Sequence, residues 1–207
     1  MLTPIALAGA DIRFAPVWLD APAADALLQD LLAAVPWENH PVRMFGREHP
    51  APRLSCWIGD PEARYRYSGI DRVPHPWPSS MLTLRERLRA ELGGDFNGVL
   101  ANLYRDGRDA MGWHADDEAE LGETPLIASL SLGAPRRFLL KARDGSGSLA
   151  LELPHGSLLV MAGRTQAAYR HALPRTRRAV DARLNLTFRN VLPGAGLSGA
   201  RRARVRS

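Results

Sequence analysis

The sequence predicts an α+β chain in which two amphipathic helices precede a sandwich of short strands, and three observations carry that prediction. Between Asp20 and Val35, apolar side chains recur at helical spacing as Leu27, Leu28, Leu31, Leu32 and Val35, which makes one apolar stripe. A second run, Ser80 to Leu92, puts Met81, Leu84, Leu88 and Leu92 on one side. From Asn97 onward the period changes to two, in short runs separated by turn residues. That is the pattern of half-buried strands packed as a sandwich.

Each element has a local cause. Asp20 supplies a side-chain acceptor at the start of the first helix, and Pro22 sits in its first turn, where a missing N–H is harmless. Gly93 closes the second helix. The strand runs are Val99–Tyr104, Leu126–Leu132, Phe138–Ala142, Leu149–Leu153, Leu158–Met161 and Leu184–Val191. No repeat and no convincing linker precedes Pro193. Residues 1–192 are therefore expected to form a single domain, with about 40–75 as a recognition lid and 193–207 as a disordered, arginine-rich tail.

The 207 residues suffice for one domain. One cysteine, Cys56, excludes an internal disulfide framework and is read as a small buried hydrophobe of a reducing compartment. No apolar run reaches the roughly 20 residues that span a bilayer, and the start lacks the basic segment of a signal peptide. A soluble, intracellular (cytoplasmic) monomer is expected. The net charge is +5, and Lys141 is the only lysine among 27 basic residues. That balance favours a polyanionic partner, because guanidinium pairs donors onto phosphate; arginine bias also follows from genomic base composition.

The chemistry gathers in two segments. In extended backbone, residues i and i+2 point the same way, so His114 and Asp116 both reach one ion while Ala115 faces elsewhere. His171 must come from another strand. Two neutral imidazoles and one carboxylate occupy one face of an octahedral iron(II), leaving positions for a co-substrate and oxygen. A structural zinc site is the weaker alternative, since zinc prefers tetrahedral closure with more Cys or His. His40, His49, His75 and His155 sit among prolines or in a turn and are not read as ligands.

Downstream, Arg183, Asn185, Thr187 and Arg189 alternate with Leu184, Leu186 and Phe188. One face belongs to a core and the other lines something polar. A solvated face would explain one arginine; two suit a dicarboxylate, because guanidinium forks bind carboxylates bidentately. At roughly 3.3 Å per residue their Cα atoms are about 20 Å apart, so they would take different ends. Asn102 and Tyr104 share a face upstream, where they either hydrogen-bond a keto-acid head group or pack in the core. Val42-Arg43-Met44-Phe45-Gly46-Arg47, Arg53 and Tyr65-Arg66-Tyr67 interleave aromatics with arginine. Such segments suit unstacked nucleic acid. Phe45 as a core residue, and Tyr65 and Tyr67 in an ordinary hairpin, are equally open.

Taken in order, Asn102-Leu103-Tyr104-Arg105-Asp106-Gly107, Gly112-Trp113-His114-Ala115-Asp116-Asp117-Glu118, Ser129-Leu130-Ser131-Leu132-Gly133, His155-Gly156-Ser157-Leu158-Leu159-Val160-Met161, His171-Ala172-Leu173-Pro174 and Arg183–Arg189 resemble the AlkB family of iron(II)/2-oxoglutarate dioxygenases, nearest the duplex-DNA repair members. The resemblance runs from about Phe45 to Val191. It implies a double-stranded β-helix, or jelly roll, with His114, Asp116 and His171 on iron(II) and Asn102, Tyr104, Arg183, Thr187 and Arg189 on 2-oxoglutarate. It further implies that Phe45, in a Phe-Gly-basic segment with Gly46 and Arg47, fills the gap left by a flipped base. Tyr67 would stack on that base, with Tyr65 beside it and Arg53 also facing substrate. This chain has Tyr67 where the related pattern usually has Phe. Asp117, or else Glu118, would meet the exocyclic amine. The activity implied is oxidative demethylation of N1-methyladenine and N3-methylcytosine in single- or double-stranded DNA, using dioxygen. The same chemistry on RNA or a protein side chain, and a non-catalytic nucleic-acid-binding module, are the alternatives.

Overall fold

The computed structural model describes residues 1–44, 47–67 and 70–192, with the side chains of 42–48 and 65–72 outside the description. The chain opens with strands β1 (Thr3–Ile5) and β2 (Asp11–Ala15) and helix α1 (Ala21–Ala34). Then come β3 (Pro41–Met44), β4 (Arg47–Pro50), β5 (Leu54–Gly59), β6 (Tyr65–Tyr67), β7 (Ile70–Arg72) and helix α2 (Ser79–Leu92). The remaining strands are β8 (Gly98–Tyr104), β9 (Met111–His114), β10 (Ile127–Gly133), β11 (Arg136–Ala142), β12 (Ser148–Leu153) and β13 (Ser157–Ala162). A one-turn helix α3 (Thr165–Ala168) leads into β14 (Tyr169–Leu173), and β15 (Arg183–Arg189) ends the series.

A major sheet runs in the order β1-β2-β13-β10-β15-β8-β5 and a minor sheet in the order β12-β11-β14-β9. Every pairing of named strands is antiparallel. The sheets share an apolar layer in which Ile127, Leu159, Met161 and Tyr104 meet Phe138, Leu140 and Leu173. This is the jelly roll that the strand pattern and the family resemblance predict.

The period of two decides which side chains see which layer. Leu184, Leu186 and Phe188 of β15 join Val99, Ala101, Leu130 and Leu132 beneath Leu31 of α1 and Leu88 of α2. The intervening residues face the minor sheet instead. Asp20 caps α1 by accepting from the Ala23 N–H at 2.9 Å, and Gly93 ends α2 in the left-handed region at φ 70°. Pro78, whose side chain caps nothing, precedes α2.

Two features depart from the sequence expectation. Strands β1 and β2 extend the major sheet beyond β13, although no alternating run was expected there. Residues 40–75 are not all lid, because β5 pairs with β8 as the last strand of the major sheet; the hairpins β3–β4 and β6–β7 flank it. Phe45 and Gly46, and the tail 193–207, lie outside the described residues. No helix of the described residues is long and apolar enough to cross a membrane.

Candidate active site

Sheet register builds a polar lattice on the inner face of the major sheet. Arg183 lies between Tyr104 and Gly133, Asn185 between Asn102 and Ser131, and Thr187 between Leu100 and Ser129. Across from it, His171 of β14 sits directly opposite His114 of β9. Between the sheets is a pocket lined by these residues, Ser131 and Gly133 apart, together with Asp116, Phe138 and Arg189.

At one end, His114, Asp116 and His171 each offer one ligand atom, all within 4.8 Å of one another. The two imidazoles meet edge to face, centroids 4.2 Å apart. Nδ1 of His114 lies 2.8 Å from the Gly112 carbonyl. A carbonyl can only accept, so the proton sits on Nδ1 and the Nε2 lone pair is left for a metal. Burial holds His114 below the ordinary imidazole range, against the pull of Asp116. Burial, then the neighbouring His114, push His171 down to about 3. Both rings are therefore neutral near pH 7, the form that ligates.

Asp116 is ionised: burial pushes its pKa up, but the Arg189 guanidinium outweighs that and holds it below the ordinary carboxylate value. One oxygen accepts from Arg189 Nη2 at 2.9 Å. The other, Oδ1, is buried with no hydrogen-bond partner among the described residues. A carboxylate oxygen is costly to bury in that state. Two neutral imidazole nitrogens and this oxygen are a donor set that fits iron(II).

Asp116 lies just beyond the end of β9, and its N–H donates to Oε1 of Gln166 at 3.0 Å. Gln166 is buried and belongs to α3, the turn that leads into the His171 strand. It thus ties together the two segments that carry the triad. The sequence reading missed Gln166, since one glutamine in a short helix has no periodic signature.

At the other end of the pocket Arg183 is 2% exposed. Its Nη2 donates to Ser131 Oγ at 2.8 Å, and its guanidinium lies 5.3 Å from the centre of the Tyr104 ring. Burial lowers its pKa to about 10, so it stays charged at neutral pH. Its Nε has no partner among the described residues. A buried cation of this kind calls for an anion. Arg136, not anticipated, lies 6.0 Å from the same ring and donates to the carbonyls of Asp106, Asp109 and Pro174. Asn185 donates to Ser129 Oγ at 2.9 Å, and Thr187 donates to Asn185 Oδ1 at 3.1 Å.

Two sequence expectations are redirected. Arg53, expected at the substrate, is buried, and its Nε donates to Asn102 Oδ1 at 2.9 Å, which ties it to the Asn102 lattice. Asp117 does not reach the triad pocket. Its carboxylate pairs with Arg143 at 2.5 Å and lines a separate cavity with Arg164 and Gln166. Neighbouring residues in extended backbone point opposite ways, and Asp116 already points inward. Glu118 is partly buried. The side chains of Arg47, Tyr65 and Tyr67 lie outside the description. His155 lies outside the pocket lining, its Nδ1 accepting from the Gly133 N–H at 2.8 Å, and His40 and His75 flank Glu38.

A triad whose donor set fits iron(II) and a buried guanidinium with no carboxylate partner among the described residues, inside a jelly roll, define a class. The chain belongs to the 2OG-Fe(II) oxygenase superfamily, whose family model it matches over residues 11–189. That superfamily's cofactors are iron(II) and 2-oxoglutarate, with dioxygen as oxidant. Within it, the chain belongs to the AlkB family. It is 40% identical over 191 positions to the alpha-ketoglutarate-dependent dioxygenase alkB homolog 3 of Rattus norvegicus, an alignment covering 86% of this chain and 63% of that one. Against the DNA oxidative demethylase ALKBH2 of Mus musculus it is 40% identical over 160 positions, covering 73% and 67%. The solved structure of OsALKBH1 shares the fold, with a TM-score of 0.62 at 18% identity over 92% of this chain and 100% of that one. The chain spans just under two thirds of the length of the alkB homolog 3 relative.

Proposed function

We propose that this protein is an iron(II)- and 2-oxoglutarate-dependent dioxygenase that removes methyl groups from N1-methyladenine and N3-methylcytosine in DNA. The observation that carries this reading is the pairing, in one pocket, of the triad with Arg183, a buried guanidinium that has no carboxylate partner among the described residues. A diacid fits that gap: one carboxylate on Arg183, with the keto-acid end toward the triad. DNA is preferred because the ALKBH2 relative is a DNA oxidative demethylase.

His114, Asp116 and His171 hold the metal. Arg183, Tyr104, Asn102, Thr187 and Arg189 hold 2-oxoglutarate, and Arg189 also keeps Asp116 ionised and oriented. Iron(II) with 2-oxoglutarate and dioxygen supplies the oxidation, in which one oxygen atom ends in succinate with loss of carbon dioxide and the other enters the N-methyl group. The resulting hemiaminal breaks its C–N bond, releasing formaldehyde and the intact base. A methylated base is cationic, so stacking between Tyr67 and the His114 ring favours it by cation–π attraction, about 0.5–2 kcal/mol. Tyr65 flanks Tyr67. Phe45, with Gly46 and Arg47, occupies the gap left by the flipped nucleotide, and Arg53 acts through Asn102. Asp117, which pairs with Arg143 without substrate, or else Glu118, is the carboxylate that meets the exocyclic amine.

The test is a comparison of single-stranded DNA, duplex DNA and RNA of one sequence, each carrying N1-methyladenine, with the repaired base measured by mass spectrometry. Repair of DNA at least as fast as RNA is expected; repair of RNA alone would reassign the substrate.

A further inference from the structure

The solvent face of the minor sheet carries charge that the pocket does not use. Along β11 buried and exposed residues alternate, so Arg137 and Lys141 point outward while Phe138 and Leu140 point in. On β14, Arg170 is exposed where His171 is buried, and the register sets Arg170 directly opposite Lys141. Like charges opposed across a strand pair repel. Among the described residues no carboxylate forms an ion pair with Arg137, Lys141 or Arg170, although Glu152 lies opposite Arg137. On β9, the edge strand of the same sheet, Trp113 leaves 49% of its surface exposed.

We propose that this face binds the phosphodiester backbone of nucleic acid, with Arg137, Lys141 and Arg170 on phosphates and Trp113 under an unstacked base. The cations form a row, which suits a polymer better than a small anion. Arg137 and Lys141 are about 13 Å apart along the strand; one DNA strand carries a charge roughly every 3.4 Å of axis, so the row spans about four phosphates. The row also lies level with the triad, since Leu140, beside Lys141, is opposite His171. An anion over Lys141 and Arg170 turns their repulsion into attraction. The proposal rests on the reading of nucleic acid as substrate.

The test is binding of unmodified oligonucleotides, as single-stranded DNA, duplex DNA and RNA, measured by fluorescence anisotropy at several salt concentrations. Lys141→Ala with Arg170→Ala should weaken binding and flatten the plot of log K against log salt by about 1.4 for single strands and 1.8 for duplex. Trp113→Ala should weaken single-strand binding at unchanged slope. Turnover of 2-oxoglutarate without oligonucleotide should match the unsubstituted protein in both variants. Unchanged slope and affinity in the folded double variant would overturn the surface, as would loss of binding to phosphatidylserine vesicles alone. Absence of demethylation by the unsubstituted protein would instead sink the functional reading.

Discussion

Arg183 shows how one side chain can state a ligand's charge. It is buried and cationic, and among the described residues it donates to Ser131 and to no carboxylate. Replacing it with Met keeps much of the volume and removes the charge-assisted bonds, worth about 1.5–3 kcal/mol. Steady-state kinetics should therefore show KM for 2-oxoglutarate raised roughly 10- to 100-fold, with metal affinity within about twofold. Gln166 predicts the opposite split. Gln166→Leu strips the acceptor from the Asp116 N–H, and supporting residues of this kind typically cost 10–100-fold in metal affinity. Anaerobic Mn(II) titration should report that loss while KM for the diacid moves little. The triad and the arginine ladder were legible in the sequence because each follows strand parity. Gln166, Ser129, Ser131 and the turning of Arg53 onto Asn102 were not, since each depends on which distant strands become neighbours.

At the scale of elements, legibility tracked whether the two faces of a strand meet unlike surroundings. Strands β15 and β11 alternate because each has two unlike faces. Strand β5 does not: Cys56 and Ile58 enter the core beneath the helices, while Trp57 packs with Leu100 and Val191 on the other side. A strand with apolar layers on both faces has no polar beat to read. The close approach of β10 to the start of β15 depends on Gly133, at φ 81°, where an added Cβ would stand 2.4 Å from the Ala182 carbonyl oxygen. Gly133→Ala should cost at least about 1–3 kcal/mol of stability, read by urea denaturation. Because Arg183 follows Ala182, KM for 2-oxoglutarate should rise as well.

For the whole molecule, the buried imidazoles set a pH dependence. His171 titrates at about 3 when folded, against an ordinary 6.5. Between those values the unfolded chain binds more protons, so the stability of the metal-free protein rises with pH. It is lost as pH falls from 6.5 toward 3, by up to about 1.4 kcal/mol per unit. Asp116 adds to the loss at lower pH, because its depressed pKa stabilises the fold above 3.8 and that contribution disappears as pH falls through the folded value. Denaturation midpoints at pH 7.5 and 5.5, without metal, check the sign; equal midpoints would mean that His171 is not held neutral.

The central claim joins the metal triad and the diacid site to one oxidation of a methylated base. The most direct measurement is formaldehyde and succinate released from an oligonucleotide carrying N1-methyladenine, with iron(II) and 2-oxoglutarate each omitted in turn. Equal amounts of both products, lost on either omission, are predicted. Formaldehyde release that persists without 2-oxoglutarate, or succinate formed with no formaldehyde, would contradict the account.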